Sequence, residues 1–184
     1  MKKMMTRWIV VFLLFGSPFF ANAQYYHRLA ASDFEGYPPR TTNFLAYTNC
    51  TVRYTYQVVQ HNDQYDVDFD VRLELNKDQS YIRLAEVKDQ DMLLHILRHE
   101  QGHYNIAYLL KSELARVFKK YRYSANYQNE ITAIFNRVND KYQHINDEYE
   151  RQTEHMQNDG NQEKWNAWFS HAIDNTPVRA LVER

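Results

Sequence analysis

Cysteine, glycine and proline are all scarce in this chain. Among 184 residues there are one cysteine, four glycines and four prolines. A single cysteine, Cys50, excludes an internal disulfide. It is expected to be buried as a small apolar residue, which is the usual fate of a free thiol. It does not directly follow the N-terminal apolar run, so it is not placed as a lipoprotein cysteine. Long basic runs are missing too, and with them any pointer to nucleic acid. The one long apolar run, Trp8 to Phe20, has 13 residues. That is short of the ~20 a membrane-spanning helix needs. Repeats, linkers and low-complexity segments are absent from the sequence.

What is present begins with that run. Lys2, Lys3 and Arg7 precede it, and Ala21-Asn22-Ala23 follows as a small-x-small cleavage pattern. Together they predict a secretory signal peptide over residues 1–23, with cleavage before Gln24. Removing its three basic residues leaves 161 residues with 19 basic and 23 acidic side chains, a net charge of -4 with neutral histidine. The expected product is one exported domain over 24–184, periplasmic or extracellular, with no membrane span after cleavage. Fifteen tyrosines and ten phenylalanines in the full chain can bury enough area for a core.

Two periodicities divide the mature chain. Residues 24–43 carry the turn signal Glu35-Gly36-Tyr37-Pro38-Pro39 and read as an irregular lead-in. From Phe44 to about Leu84 the pattern is that of strands. Tyr65, Val67, Phe69, Val71, Leu73 and Leu75 alternate with Asp66, Asp68, Asp70, Arg72 and Glu74, the period of a half-buried strand. "QHNDQ" reads as a hairpin turn, and "SYIRLAEV" as a third strand. The acidic stripe reads as a solvated strand face rather than a calcium site.

From Asp89 the period becomes helical, with Asp89 or Asp91 as cap. Met92, Ile96, His99, His103, Ile106, Leu110, Leu114 and Val117 fall on one face. A second helix is expected over about 124–158, with Ile131, Phe135, Val138, Tyr142, Ile145 and Tyr149 on its stripe and Gly160 as its C-terminal cap. A short third helix carries Trp165, Trp168 and Phe169 on its apolar face and ends at Pro177. Strands first and helices after predict an α+β fold, a small antiparallel sheet in the N-terminal half packed on long helices.

The chemistry-bearing stretch is "LRHEQGHYNIA", residues 97–107. On a helix, His99 and His103 lie one turn apart and project from the same face. Two imidazoles so placed can take adjacent corners of a tetrahedral zinc ion. Glu100 lies about 100° around the helix, badly placed as a ligand but within reach of a metal-held water. This is the His-Glu-x-x-His arrangement of two ligands and a general base, and it implies a zincin-like architecture. Two satisfied core histidines are the alternative, and His95, four before His99, offers a competing pair. Gly102 costs the helix about 1 kcal/mol relative to alanine, so either something approaches closely there or the loss is simply tolerated.

A catalytic zinc needs a third protein ligand. The residues leave His144, Glu148, Glu150, Glu154 and His155 open, all on or near the second long helix. The chain resembles a family of secreted, predicted zinc-dependent proteases catalogued as domain of unknown function 922. The likeness rests on "DFEGYP", the strand region, "LLHILRHEQGHYNIAYLL" and "YERQTEHMQNDGNQEKWNAWF". It picks out His99, Glu100, Gly102, His103, Tyr149, Glu150, Thr153, His155, Gln162 and Trp165. Glu150 stands where the family usually has aspartate, and Met156 where it usually has glycine. The resemblance implies that Gly102 is a family feature and that His155 is the third ligand.

The sequence thus leads to an expected zinc metallopeptidase acting on a protein or peptide substrate. His99, His103 and His155 would hold Zn2+, and Glu100 would be the general base. Tyr149, on the same helix, is the expected oxyanion donor; core packing is its competing role. The alternative is a non-catalytic exported domain that holds zinc structurally or binds an envelope partner, with Glu148 or Glu154 closing a four-ligand shell. A weaker third reading, drawn from the tyrosine content, is a metal-independent aromatic-lined module for peptides or glycans.

Overall fold

A computed structural model describes residues 26–62 and 64–176. The expected signal peptide and the expected helix end at Pro177 lie outside the described residues. The element order is α+β: four strands, then three helices.

Strands β2 (Cys50–His61) and β3 (Gln64–Leu75) form one long antiparallel hairpin, in register from Cys50 with Leu75 to His61 with Gln64. The turn falls within the expected "QHNDQ", and Asn62 there takes a positive φ of 54°, a conformation asparagine tolerates. The alternation seen in the sequence is the alternation of burial. Tyr65, Val67, Phe69, Val71 and Leu73 pack onto the core, while Asp66, Asp68, Asp70 and Glu74 face outward.

The expected third strand is shorter than the pattern suggested. Only Tyr81–Ile82 (β4) is extended, and it pairs with Ala46–Tyr47 (β1) as a separate two-stranded sheet. The chain then curls into a short helical turn at Leu84–Glu86. Arg83 accounts for the break. Its guanidinium donates to the carbonyl oxygens of Phe44, Pro39 and Thr42, tying this corner to the lead-in. Gly36 in the lead-in lies against the same corner, where an added Cβ would fall 2.6 Å from the Asp78 carbonyl oxygen.

Helix α1 spans Gln90–Lys120, and the Asp89 carboxylate caps it by accepting from the Met92 amide. Its stripe is its buried face: Ile96, His99, Ile106 and Leu114 are buried. Both the β2–β3 hairpin and α2 (Tyr127–Thr153) pack on α1. The centre of that packing holds Phe69 stacked on Phe118, ring centroids 4.1 Å apart. No helix among the described residues is long and apolar enough to cross a membrane.

Helix α2 ends earlier than expected, and Gly160 is not its cap. Glu154, His155 and Met156 follow with φ of 51°, 52° and 71°. Three successive left-handed, non-glycine residues turn the chain sharply. Helix α3 (Asp159–Asp174) then starts at once, with Asn158 as its cap and Gly160 inside its first turn. Of the expected α3 face, Phe169 is buried and Trp165 partly so, whereas Trp168 is largely exposed.

Candidate metal centre

The histidine pair lies where the helix face requires, and its surroundings decide which ring atoms are presented. His99 Nδ1 faces the Gln162 Oε1 at 3.2 Å, and His103 Nδ1 faces the Asn146 Oδ1 at 2.8 Å. An amide oxygen only accepts, so each ring carries its proton on Nδ1. Each Nε2 then offers a lone pair, the arrangement that second-shell acceptors impose on metal-binding histidines.

Both Nε2 atoms point at one carboxylate oxygen, Glu150 Oε1, at 3.4 Å from His99 and 2.6 Å from His103. The three ligand atoms lie within 4.8 Å of one another, and this is the group of three able to hold a metal ion among the described residues. Two acceptors facing each other need a cation between them. Burial lowers the pKa of His103, but the Glu150 and Glu100 carboxylates and the Asn146 side chain together outweigh this and raise it. In return, burial pushes Glu150 up, and the bonds from His103 and His99 pull it well below the usual carboxylate range. A metal ion would satisfy the same three atoms. The 3.4 Å separation of His99 and Glu150 is what two bonds of about 2.1 Å subtend at a tetrahedral ion, whereas the 2.6 Å between His103 and Glu150 is a hydrogen-bond distance that would have to open on binding. The donor set, two imidazole nitrogens and a carboxylate oxygen, fits zinc.

Of the five sequence candidates for third ligand, the structure brings Glu150 into this group. Glu148 is turned away onto Arg151 and Gln152. Glu154 is exposed and bonds Asn158, and His144 is exposed. His155, expected as the ligand, is placed one atom further out. Its Nδ1 contacts Glu150 Oε2, the other oxygen of that carboxylate, and its ring lies against Phe44. His95 does not compete as a pair with His99. It reaches the turn instead, with Nε2 2.6 Å from the Met156 carbonyl oxygen and Nδ1 3.3 Å from Asp159.

Glu100 is buried, and its Oε2 accepts a 2.6 Å hydrogen bond from the Thr48 hydroxyl. It lines, with both histidines, Glu150 and His155, a cleft of about 560 Å³ between strands β1–β2 and helices α1–α2. Cys50 also lines the cleft, half-buried rather than fully buried; burial and the nearby Glu100 charge push its thiol up to about 12.

Tyr149 is fully buried behind the pair. Its ring stacks on His99 at 5.0 Å and meets His103 edge-on. Its hydroxyl donates to the His99 carbonyl oxygen at 2.8 Å and accepts from Gln162 Nε2 at 2.9 Å. A hydroxyl so engaged holds the pair in place and does not face the cleft as an oxyanion donor would. The same ring explains Gly102: an added Cβ there would stand 2.2 Å from the Tyr149 oxygen.

Sequence reasoning missed Asn146 and Thr48. Asn146 carried a signal, since it sits one turn before Glu150 on the same face of α2. Thr48 carried none, being one of two polar residues in a short connection between strands.

The class of protein this defines is an α+β domain with a partly buried His-His-Glu group able to hold a metal ion, in a cleft that Glu100 also lines. The chain belongs to the family described as "Bacterial protein of unknown function (DUF922)", which matches residues 26–156. The match spans both histidines, Glu100, Glu150 and His155, and stops short of Gln162. No curated protein and no solved structure matches the chain.

Proposed function

We propose that the protein is an exported zinc-dependent metallopeptidase. One observation carries this reading: two Nε2 lone pairs, each set by an amide oxygen on Nδ1, converge with Glu150 Oε1, and a buried glutamate stands next in sequence to the first histidine. His99, His103 and Glu150 would hold the ion. When bound, zinc supplies Lewis acidity and makes a water acidic enough to be deprotonated near neutral pH. Glu100 receives a proton from water in the cleft and returns it to the leaving amine. The cleft walls from β1, β2 and α2 hold the peptide. His155 steadies the outer oxygen of Glu150, and Tyr149 with Gln162 steadies His99.

A closed, non-catalytic zinc site is the second reading. The contact of His155 with Glu150 favours it, because a fourth protein ligand lies close at hand.

One experiment separates the two. The secreted wild type and Glu100→Gln are analysed for metal and assayed with fluorescein-labelled casein. Near-stoichiometric zinc in both, with hydrolysis reduced about 100-fold or more in Glu100→Gln, supports the peptidase. Zinc in both without hydrolysis by the wild type supports the closed site. Equal hydrolysis by both removes Glu100 as the base.

A further inference from the structure

Thr48 is assigned no part by the sequence motif, yet among the described residues its hydroxyl is the hydrogen-bond donor to the Glu100 carboxylate. The residue is itself buried, 8% exposed, and lies in the short connection between β1 and β2. That connection is unusually well tied. The next amide, Asn49 N–H, donates to the Ser80 hydroxyl at 2.9 Å, and Ser80 in turn donates to the Asn76 carbonyl oxygen at 2.8 Å. Asn76 closes the frame with its side-chain amide on Asn49 Oδ1 and Thr51 Oγ1, and with its backbone amide on the Asn49 carbonyl oxygen. Ser80 is fully buried. A threonine on so fixed a frame presents its hydroxyl from a fixed point.

A carboxylate has a two-fold terminal torsion with a broad well. A helix backbone fixes where Glu100 begins, not how its carboxylate plane is turned. A hydroxyl donor held at 2.6 Å from Oε2 removes that freedom, because a charge-assisted O–H···O⁻ bond is short and strong. It commits Oε2 to the protein and leaves Oε1 as the oxygen to serve the cleft that both residues line. We propose that Thr48 is a positioning residue for the general base: its hydroxyl fixes the Glu100 carboxylate so that Oε1 meets the water to be deprotonated. This rests on the peptidase reading for its consequence in catalysis, but not for the orientation itself.

The test uses Thr48→Val, which keeps the branched shape and loses the donor, and Thr48→Ser, which keeps the donor. All three proteins are purified with zinc, and metal content is measured beside casein hydrolysis. The expected result is a fall of about 10- to 100-fold in kcat for Thr48→Val, part of the 10²–10⁴-fold that general acid–base catalysis contributes. KM and zinc content stay unchanged, and Thr48→Ser retains most of the rate. A Thr48→Val enzyme with wild-type kcat overturns the proposal, as does a Thr48→Ser enzyme as impaired as Thr48→Val. Crystal structures of wild type and Thr48→Val supply the second arm, which needs no activity. Glu100 should hold one carboxylate orientation in the wild type and several in the variant. The same single orientation in both removes Thr48 as its cause, whereas wild-type inactivity with that difference intact sinks only the peptidase reading.

Discussion

Gly102→Ala adds a single methyl group, and the structure gives its consequence in numbers. The new Cβ would lie 2.2 Å from the Tyr149 oxygen, 2.3 Å from Cζ and 2.7 Å from Cε1. Carbon contacts settle at about 3.5 Å, so ring and helix must separate by roughly 1 Å. The ring has nowhere easy to go. His99, His103, Trp165 and Phe169 all lie against it. Overpacking of this kind costs about 1–3 kcal/mol. Pulling the hydroxyl from the buried His99 carbonyl adds about 1–3 kcal/mol. Alanine returns about 1 kcal/mol of helix propensity. The net expectation is a loss of about 1–5 kcal/mol, read by urea unfolding through the fluorescence of Trp165 beside Tyr149. The cycle with Tyr149→Ala isolates the cause. Tyr149→Ala alone should cost about 3–5 kcal/mol, and adding Gly102→Ala to it should then be neutral or stabilising by up to about 1 kcal/mol. A Gly102→Ala protein as stable as wild type, with Tyr149 present, would refute the close approach.

Zinc retention tests the ligand set. His103→Ala and Glu150→Gln should each lose the ion on dialysis, whereas His155→Ala should weaken it by about 10- to 100-fold, as loss of an outer-shell partner does; complete loss in His155→Ala with retention in Glu150→Gln would reverse the assignment. Acid sensitivity tests the lead-in. Burial alone would raise the Asp33 carboxyl, but Lys77, the Ala30 amide and His27 together lower it from 3.8 to about 2. A depressed folded pKa contributes stability that is complete above about pH 4 and is lost as pH falls towards 2. The shift corresponds to roughly 2 kcal/mol. Asp33→Asn should lose about that much at pH 7, with a flatter stability profile between pH 4 and 2 in urea titrations; a profile parallel to wild type would count against it.

The long elements were legible because burial imposes their periods. The stripe from Ile106 to Val117 and the alternation from Tyr65 to Leu75 each pack one face on a common core. What was not legible depended on contacts distant in sequence. The run "SYIRLAEV" has the composition of a strand, yet Arg83 reaches across to Pro39 and Thr42 and ends it after two residues. Gly160 has the composition of a helix stop, but the stop is made by Glu154, His155 and Met156 in left-handed backbone. Local propensity argues against that conformation at all three, so no propensity reading could have placed it.

The same turn explains why the histidine pair was readable and the carboxylate that meets it was not. His99 and His103 belong to one helix, so their spacing alone aligns them. The partner that meets them depends on how α2 crosses α1 and where α2 stops. Three left-handed residues cost of order 1–2 kcal/mol each, and the structure holds them there with bonds from His155 N to the Glu150 carbonyl, Asn158 N to the Thr153 carbonyl and His95 to the Met156 carbonyl. Two consequences follow from a stop at this place and no other. Glu150 stays on regular helix, one turn beyond Asn146, so that one residue fixes His103 Nδ1 while the other faces its Nε2. And α3 begins at once, which returns Gln162 to His99 Nδ1 and to Tyr149. A helix running on to residue 158, as the stripe alone predicted, would carry His155 along the α2 axis and leave Gln162 too late to reach His99. The strained turn is therefore the element that brings Glu150 and Gln162 to the two histidines and assembles a group able to hold a metal ion.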